Sequence, residues 1–127
     1  MSAIQIIPVS AKYIREDGLE VFYLDRPELE GVFEVRDTSF VRIPAGVAGG
    51  NHKHPRSEAF MALADGLTLH WLDETGKSSS LDITPGSLFV VAPGVAHAVV
   101  NHSSNMVSMI EYADGPQVDV VPVSDIL

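Results

Sequence analysis

GVAGGNHKHPRSEAFMALADG, residues 46–66, places two histidines, His52 and His54, with one residue between them, in a stretch bounded by glycines. A second stretch, GSLFVVAPGVAHAVVN at residues 86–101, is punctuated by Pro93 and Gly94 and carries a third, His97. In a strand, residues two apart point to the same face, so His52 and His54 project together, about 6–7 Å apart at the backbone. That reach suits two ligands on one ion. A third histidine from a neighbouring strand would complete a three-nitrogen face and leave other positions open for water or a substrate. The two stretches together therefore locate the candidate site.

Outward from them, the chain reads as short strands separated by turn residues. Strands are expected at 4–9, 20–24, 31–35, 39–43, 60–64, 67–72, 81–84, 88–92, 97–101, 107–112 and 118–123. Asp65–Gly66 predicts a tight hairpin between 60–64 and 67–72, with Gly66 supplying the positive φ. Residues 97–101 and 107–112 read as a further pair, joined by 102–105. Residues 73–80, DETGKSSS, have the composition of a loop. Pro93–Gly94 fits a type II turn that sends His97 back toward the interior. No segment longer than about ten residues has helical periodicity. The expectation is an all-β barrel or sandwich with little helix.

At 127 residues the chain has the size of one domain with one core, and 1–127 is read as a single unit. Eight basic and seventeen acidic residues leave a net charge of −9, which would repel DNA, RNA and anionic membrane alike. Cysteine is absent, excluding disulfides, thiolate metal sites and a cysteine nucleophile. Residues 1–10 lack a basic, apolar leader, and no apolar run approaches the roughly 18–20 residues of a membrane span. The expected location is the cytoplasm.

The two stretches resemble the motifs of the cupins, small double-stranded β-helix or jelly-roll barrels. Gly46, His52, His54, Glu58 and Gly66 match the first motif, and Gly86, Gly94, His97 and Asn101 match the second, with Ala92 in place of a proline. The resemblance implies a mononuclear divalent metal held by His52, His54, His97 and Glu58, the ion being iron, manganese, nickel, zinc or copper. In the first motif seven residues, rather than the usual six, separate Glu58 from Gly66. A one-residue shift reverses the facing of a strand side chain. Glu58 thus faces the cavity only if a bulge or a longer turn absorbs the extra residue; otherwise Ala59, Met61 and Leu63 do. The spacing also resembles nucleotide-sugar 3,4-ketoisomerases, a cupin branch in which such histidines transfer protons without a metal. Barrels of this family commonly pair through N-terminal strands, which implies a homodimer built around residues 4–9.

Three functions remain open on these residues. The first is a metal-dependent oxygenase or isomerase, or a hydrolase, acting on a small molecule. The second is acid–base catalysis by His52 and His54 on a keto-sugar, with Arg42 or Arg56 compensating a diphosphate. The third is a non-catalytic ligand-binding barrel. His70 reads as a packed strand residue, His102 as solvated, and Asn101 as a hydrogen-bonding barrel residue. Arg42 is expected to face solvent. Phe40, Met61, Leu63, Trp71, Phe89 and Met109 are expected to form the apolar walls, with Glu111 and Tyr112 candidates for the rim.

Overall fold

The computed structural model describes residues 3–117, 119–123 and 126–127. Its strands are β1 (Ile4–Pro8), β2 (Tyr13–Ile14), β3 (Glu20–Val21), β4 (Asp37–Ile43), β5 (Ala48–Lys53) and β6 (Glu58–Ala62). They continue with β7 (Leu67–Leu72), β8 (Ser78–Ile83), β9 (Ser87–Val91), β10 (His97–Asn101), β11 (Val107–Ala113) and β12 (Val121–Pro122). One 3-10 turn, Pro27–Leu29, is the only helical element among the described residues. Two five-stranded sheets carry the barrel, in the orders β1-β9-β6-β11-β4 and β12-β5-β10-β7-β8, and all pairings are antiparallel. Strands β2 and β3 form a small separate ribbon. This is the all-β jelly roll that the sequence predicts.

The main core lies between the two sheets. Alternate residues point into it: Phe60 and Ala62 from β6, Leu67 and Leu69 from β7, Phe89 and Val91 from β9, Val107 and Met109 from β11. The opposite faces of β6, β9 and β11 are covered as well. Ala59, Met61, Leu88, Val90, Ile110 and Tyr112 pack under Leu29 and Phe33 of the segment before β4. A sheet buried on both faces loses its polar/apolar alternation, which is why all five residues of β6 are buried.

Several expectations need correction. Residues 31–35 are not a strand; the backbone N–H groups of Val32 and Phe33 both donate to the Leu29 carbonyl, closing a cap over the outer face. Of 20–24 only Glu20–Val21 pairs. Residues 78–80 belong to β8, so the loop at 73–80 is shorter than its composition suggests. Asp65–Gly66 does not close a hairpin, because β6 and β7 lie in different sheets. Gly66 does have a positive φ, +120°, but the turn arches from one sheet to the other. Strands β10 and β11 are likewise split between sheets. Both errors have one cause: sequence adjacency is mistaken for pairing, whereas a barrel of two sheets connects them at its ends.

Of the expected walls, Trp71, Phe89 and Met109 join the main core. Met61 packs on the outer face, and Phe40 and Leu63 are 60% and 52% exposed. Strand β1 occupies a sheet edge and pairs with β9 of its own chain. Of the strand expected at 118–123, Val121–Pro122 forms β12, while Val118 lies outside the described residues. Among the described residues no helix is long and apolar enough to cross a membrane.

Candidate metal centre

His52 and His97 stand directly opposite each other where β5 meets β10. The pairing then slips: Ala98 faces Gly50, so Asn51 is an extra residue on β5. This bulge, with φ of +103° at Gly50 and +60° at Asn51, re-aims the strand as bulges beside sites commonly do. Gly50 is required there twice over. A Cβ on it would lie 2.9 Å from the His97 carbonyl oxygen and 3.0 Å from the Ala98 Cα. His54 falls just past the end of β5 and keeps the same facing, so the expected joint projection holds, although a bulged strand rather than a regular one achieves it. On the other side the Ala92–Val95 turn, closed by Val95 N–H to the Ala92 carbonyl (3.3 Å), leads into His97.

The three rings form a nearly equilateral triangle, with centroids 5.0, 5.4 and 5.5 Å apart. One ligating nitrogen of each lies within 4.8 Å of the others. Glu58 closes the group. Its Oε1 lies 2.8 Å from His97 Nε2, and its Oε2 lies 3.1 Å from His54 Nε2. The alternative facing of Ala59, Met61 and Leu63 is therefore overturned. The register of β6 against β9 and β11 runs without interruption, so the longer turn at residues 63–66 absorbs the extra residue.

Two observations test whether these residues suit a cation. His97 Nδ1 lies 2.9 Å from the Val95 carbonyl, which can only accept, so Nδ1 carries the proton. Nε2 is left pointing at the carboxylate oxygen of Glu58, an arrangement that needs a positive charge between them, supplied by a second ring proton or by a metal ion. A backbone carbonyl fixing the tautomer of a ligating histidine is a common support for metal sites. His54 is buried, and neither ring nitrogen has a hydrogen-bond partner; Nε2 is close to Glu58 but out of line with it. Buried nitrogens left in this way are costly unless something else engages them. Two donors about 2.1 Å from one ion and roughly at right angles would be about 3.0 Å apart, close to the 2.8 Å between His97 Nε2 and Glu58 Oε1. The donor set fits a mononuclear divalent metal.

Electrostatics agree. Burial and the neighbouring histidines push His52 below the ordinary histidine value. Burial, with lesser contributions from His97 and Arg56, lowers His54 despite the opposing pull of Glu58. The neutral, ligating form of both is thereby favoured. Burial alone would raise Glu58, but hydrogen bonds from His97 and Glu111 and the positive charge of its neighbours hold it well below the usual carboxylate range. Burial, together with Glu58 beside it, pushes Glu111 up to about 8.

The cavity beside this group has a volume of about 250 Å³, and its lining mixes polar His52, Glu58, His97, Glu111 and Gln117 with apolar Val41, Ile43, Phe60, Val99 and Met109. Glu111 is thus a lining residue, while Tyr112 points to the outer face and donates to the Leu24 carbonyl. Arg42 is exposed and Lys53 points away from the histidines, as expected. His70 is half-buried outside the cavity, near the exposed His102. Asn101 is a structural residue with every polar atom engaged. Its Nδ2 donates to Ile43 and Asn105 carbonyls (2.8 and 2.7 Å), and its Oδ1 accepts from Ser103 N–H and Oγ (2.9 and 2.7 Å). Arg56 is the site residue that motif spacing does not assign. A signal for it exists in the chain: His52, His54, Arg56 and Glu58 alternate, and all four turn inward.

Residues 39–112, more than half of the chain, match the pattern of the cupin domain. Over 85 residues the chain is 34% identical to the putative germin-like protein 9-2 of Oryza sativa subsp. japonica, covering 64% of this chain and 39% of that protein. The chain thus spans about two fifths of that relative's length. A 3,4-ketoisomerase from Helicobacter canadensis superposes with a TM-score of 0.75 at 15% identity, over 93% of this chain and 89% of that one. Oxalate oxidase superposes with a TM-score of 0.60 at 22% identity, over 68% and 45%. At such identities the structural matches speak for the fold, and the family assignment rests on the domain pattern together with the motif residues. The chain belongs to the cupin family.

Proposed function

We propose that this cupin binds one divalent metal ion through His52, His54, His97 and Glu58 and acts on a compact small molecule in the adjoining cavity. The observation that carries the reading is the His97 ring, fixed by the Val95 carbonyl so that Nε2 meets Glu58 Oε1 at 2.8 Å beside two further histidines. An ion held there would polarise a carbonyl, activate water or bind dioxygen. The chain's own residues supply the rest: Val41, Ile43, Phe60, Val99 and Met109 offer apolar contacts, and Glu111 and Gln117 polar ones, to a ligand. Oxygenase and isomerase chemistry both suit such a site.

The test is elemental analysis of the protein after reconstitution with iron, manganese, nickel, copper or zinc, beside a His52→Ala/His54→Ala variant. Near-stoichiometric metal in the first and loss in the second is expected. Less than about a tenth of an equivalent in the wild type sinks the proposal.

A second reading, metal-free acid–base isomerisation of a nucleotide-linked keto-sugar by His52 and His54, draws on the likeness to 3,4-ketoisomerases. Charge weighs against it. Arg56 is fully engaged by carboxylates and a backbone carbonyl, Arg42 faces solvent, and no other cationic side chain among the described residues lines the cavity. A diphosphate would find no free partner. Stabilisation by nucleoside diphosphate sugars in a thermal-shift panel, in metal-free protein, would reverse the preference; binding of neither metal nor sugar would leave a non-catalytic barrel. We also propose a homodimer, supported by the edge position of β1 and by exposed Tyr23, Leu24, Phe40 and Leu63. A monomer mass by light scattering would remove it.

A further inference from the structure

Arg56 sits in the bend between His54 and β6 and is only 8% exposed. An arginine so buried needs partners for all its nitrogens, and it has them. Nη1 donates to the Gly115 carbonyl at 3.0 Å and to Asp37 Oδ2 at 3.3 Å. Nη2 reaches Glu111 Oε1 at 3.4 Å. Toward Glu58 the contact is unusual. Nε at 2.9 Å and Nη2 at 2.6 Å both donate to the same oxygen, Oε2, whereas an arginine fork commonly spreads over both carboxylate oxygens. The other oxygen, Oε1, is left facing His97 Nε2.

We propose that Arg56 is a positioning residue for the metal centre: by occupying one oxygen of Glu58 with two of its nitrogens, it makes Glu58 a single-oxygen ligand. The inference rests on the metal reading above. Oε2, taken by two charge-assisted hydrogen bonds, is a poor donor to an ion. Asp37 and Gly115 hold Nη1, and Glu111 also reaches Nη2, contacts that oppose the guanidinium turning away from that oxygen. The functional consequence is the number of open positions. With three histidine nitrogens and one carboxylate oxygen, a six-coordinate ion keeps two places for donor atoms of a small molecule; a two-oxygen Glu58 would leave one. Lysine would keep the charge but not the two-pronged grip. Oε2, 3.1 Å from His54 Nε2, would then be free to turn inward.

Infrared difference spectra of the wild type with and without Zn2+ read the ligation directly. A wide separation of the asymmetric and symmetric carboxylate bands, absent from Glu58→Gln, is expected for one-oxygen ligation; a narrow separation overturns the inference. In a second experiment Co2+ is titrated into wild type and Arg56→Lys, each verified as folded by circular dichroism. At least tenfold weaker binding, in the range usual for residues supporting a ligand, and an altered visible spectrum are expected. An unchanged spectrum and affinity overturn the role of Arg56. The two failures separate cleanly. Wild type that binds neither ion refutes the metal centre and Arg56's role with it. Wild type that binds metal through the histidines but shows two-oxygen Glu58 refutes only Arg56's role. If Arg56→Lys does not fold, the wild-type infrared spectrum decides alone.

Discussion

Replacing Gly50 with alanine should unsettle both the barrel and its centre, and the size of the effect can be worked out from the bulge. At φ +103° an alanine is strained whatever surrounds it, by about 1–2 kcal/mol. The added methyl would lie 2.9 Å from the His97 carbonyl oxygen and 3.0 Å from the Ala98 Cα. Both are backbone atoms that cannot rotate aside, so β5 and β10 must move apart. Loss of one ladder hydrogen bond there costs about 1 kcal/mol, and strain in the neighbouring pairs adds to it. The expected total is about 2–4 kcal/mol, a large share of the roughly 5–15 kcal/mol that holds a domain together. For a chain of this length each kcal/mol shifts Tm by roughly 4 °C. Thermal unfolding of Gly50→Ala should therefore show a midpoint lowered by roughly 8–16 °C, and urea unfolding should agree. Because His97 lies at the displaced pair, metal affinity should also fall, even in the fraction that stays folded. Gly49→Ala is the control. Its Cβ would meet nothing within 4 Å, and it should be neutral or slightly stabilising. A Gly50→Ala midpoint indistinguishable from wild type would refute the argument that this glycine sets the histidine geometry.

Asn101→Ala removes four hydrogen bonds from a fully buried amide and should cost about 2–4 kcal/mol by urea unfolding. Asn101→Asp should not rescue it, since two carbonyls would then face a carboxylate; rescue would contradict the assigned donor roles. Phe89→Ala, within the core between the sheets, should cost about 3–5 kcal/mol, whereas Phe40→Ser at an exposed position should change monomer stability by less than about 0.5 kcal/mol. Equal losses from the two would mean that the facing of β4 is wrong.

The first motif and His97 are legible in the chain itself because their chemistry depends on spacing, and spacing is a property of sequence. Glu58 is not decided there. Its facing depends on where one extra residue is absorbed, and only the uninterrupted register of β6 against β9 and β11 assigns that residue to the turn. Arg56 lies in plain alternation with the histidines. Its role is hidden from the sequence because two of its partners, Asp37 and Glu111, come from β4 and β11, distant along the chain. The wall residues are misplaced for a related reason. Phe40 and Met61 are apolar in the sequence, but the sheet of β1, β4, β6, β9 and β11 has two faces, and the segment around Leu29 buries part of the outer one. Hydrophobicity marks burial, not which side is buried.

By itself, then, the sequence determined an all-β chain of short strands, the placement of its turns and the three histidines of one site, because alternation, turn chemistry and ligand spacing are local. The tertiary structure alone decided which strands pair, which face of each looks inward, and how Glu58 is held. Those depend on contacts between residues far apart in the chain, and no local pattern encodes the two-sheet crossing that brings them together.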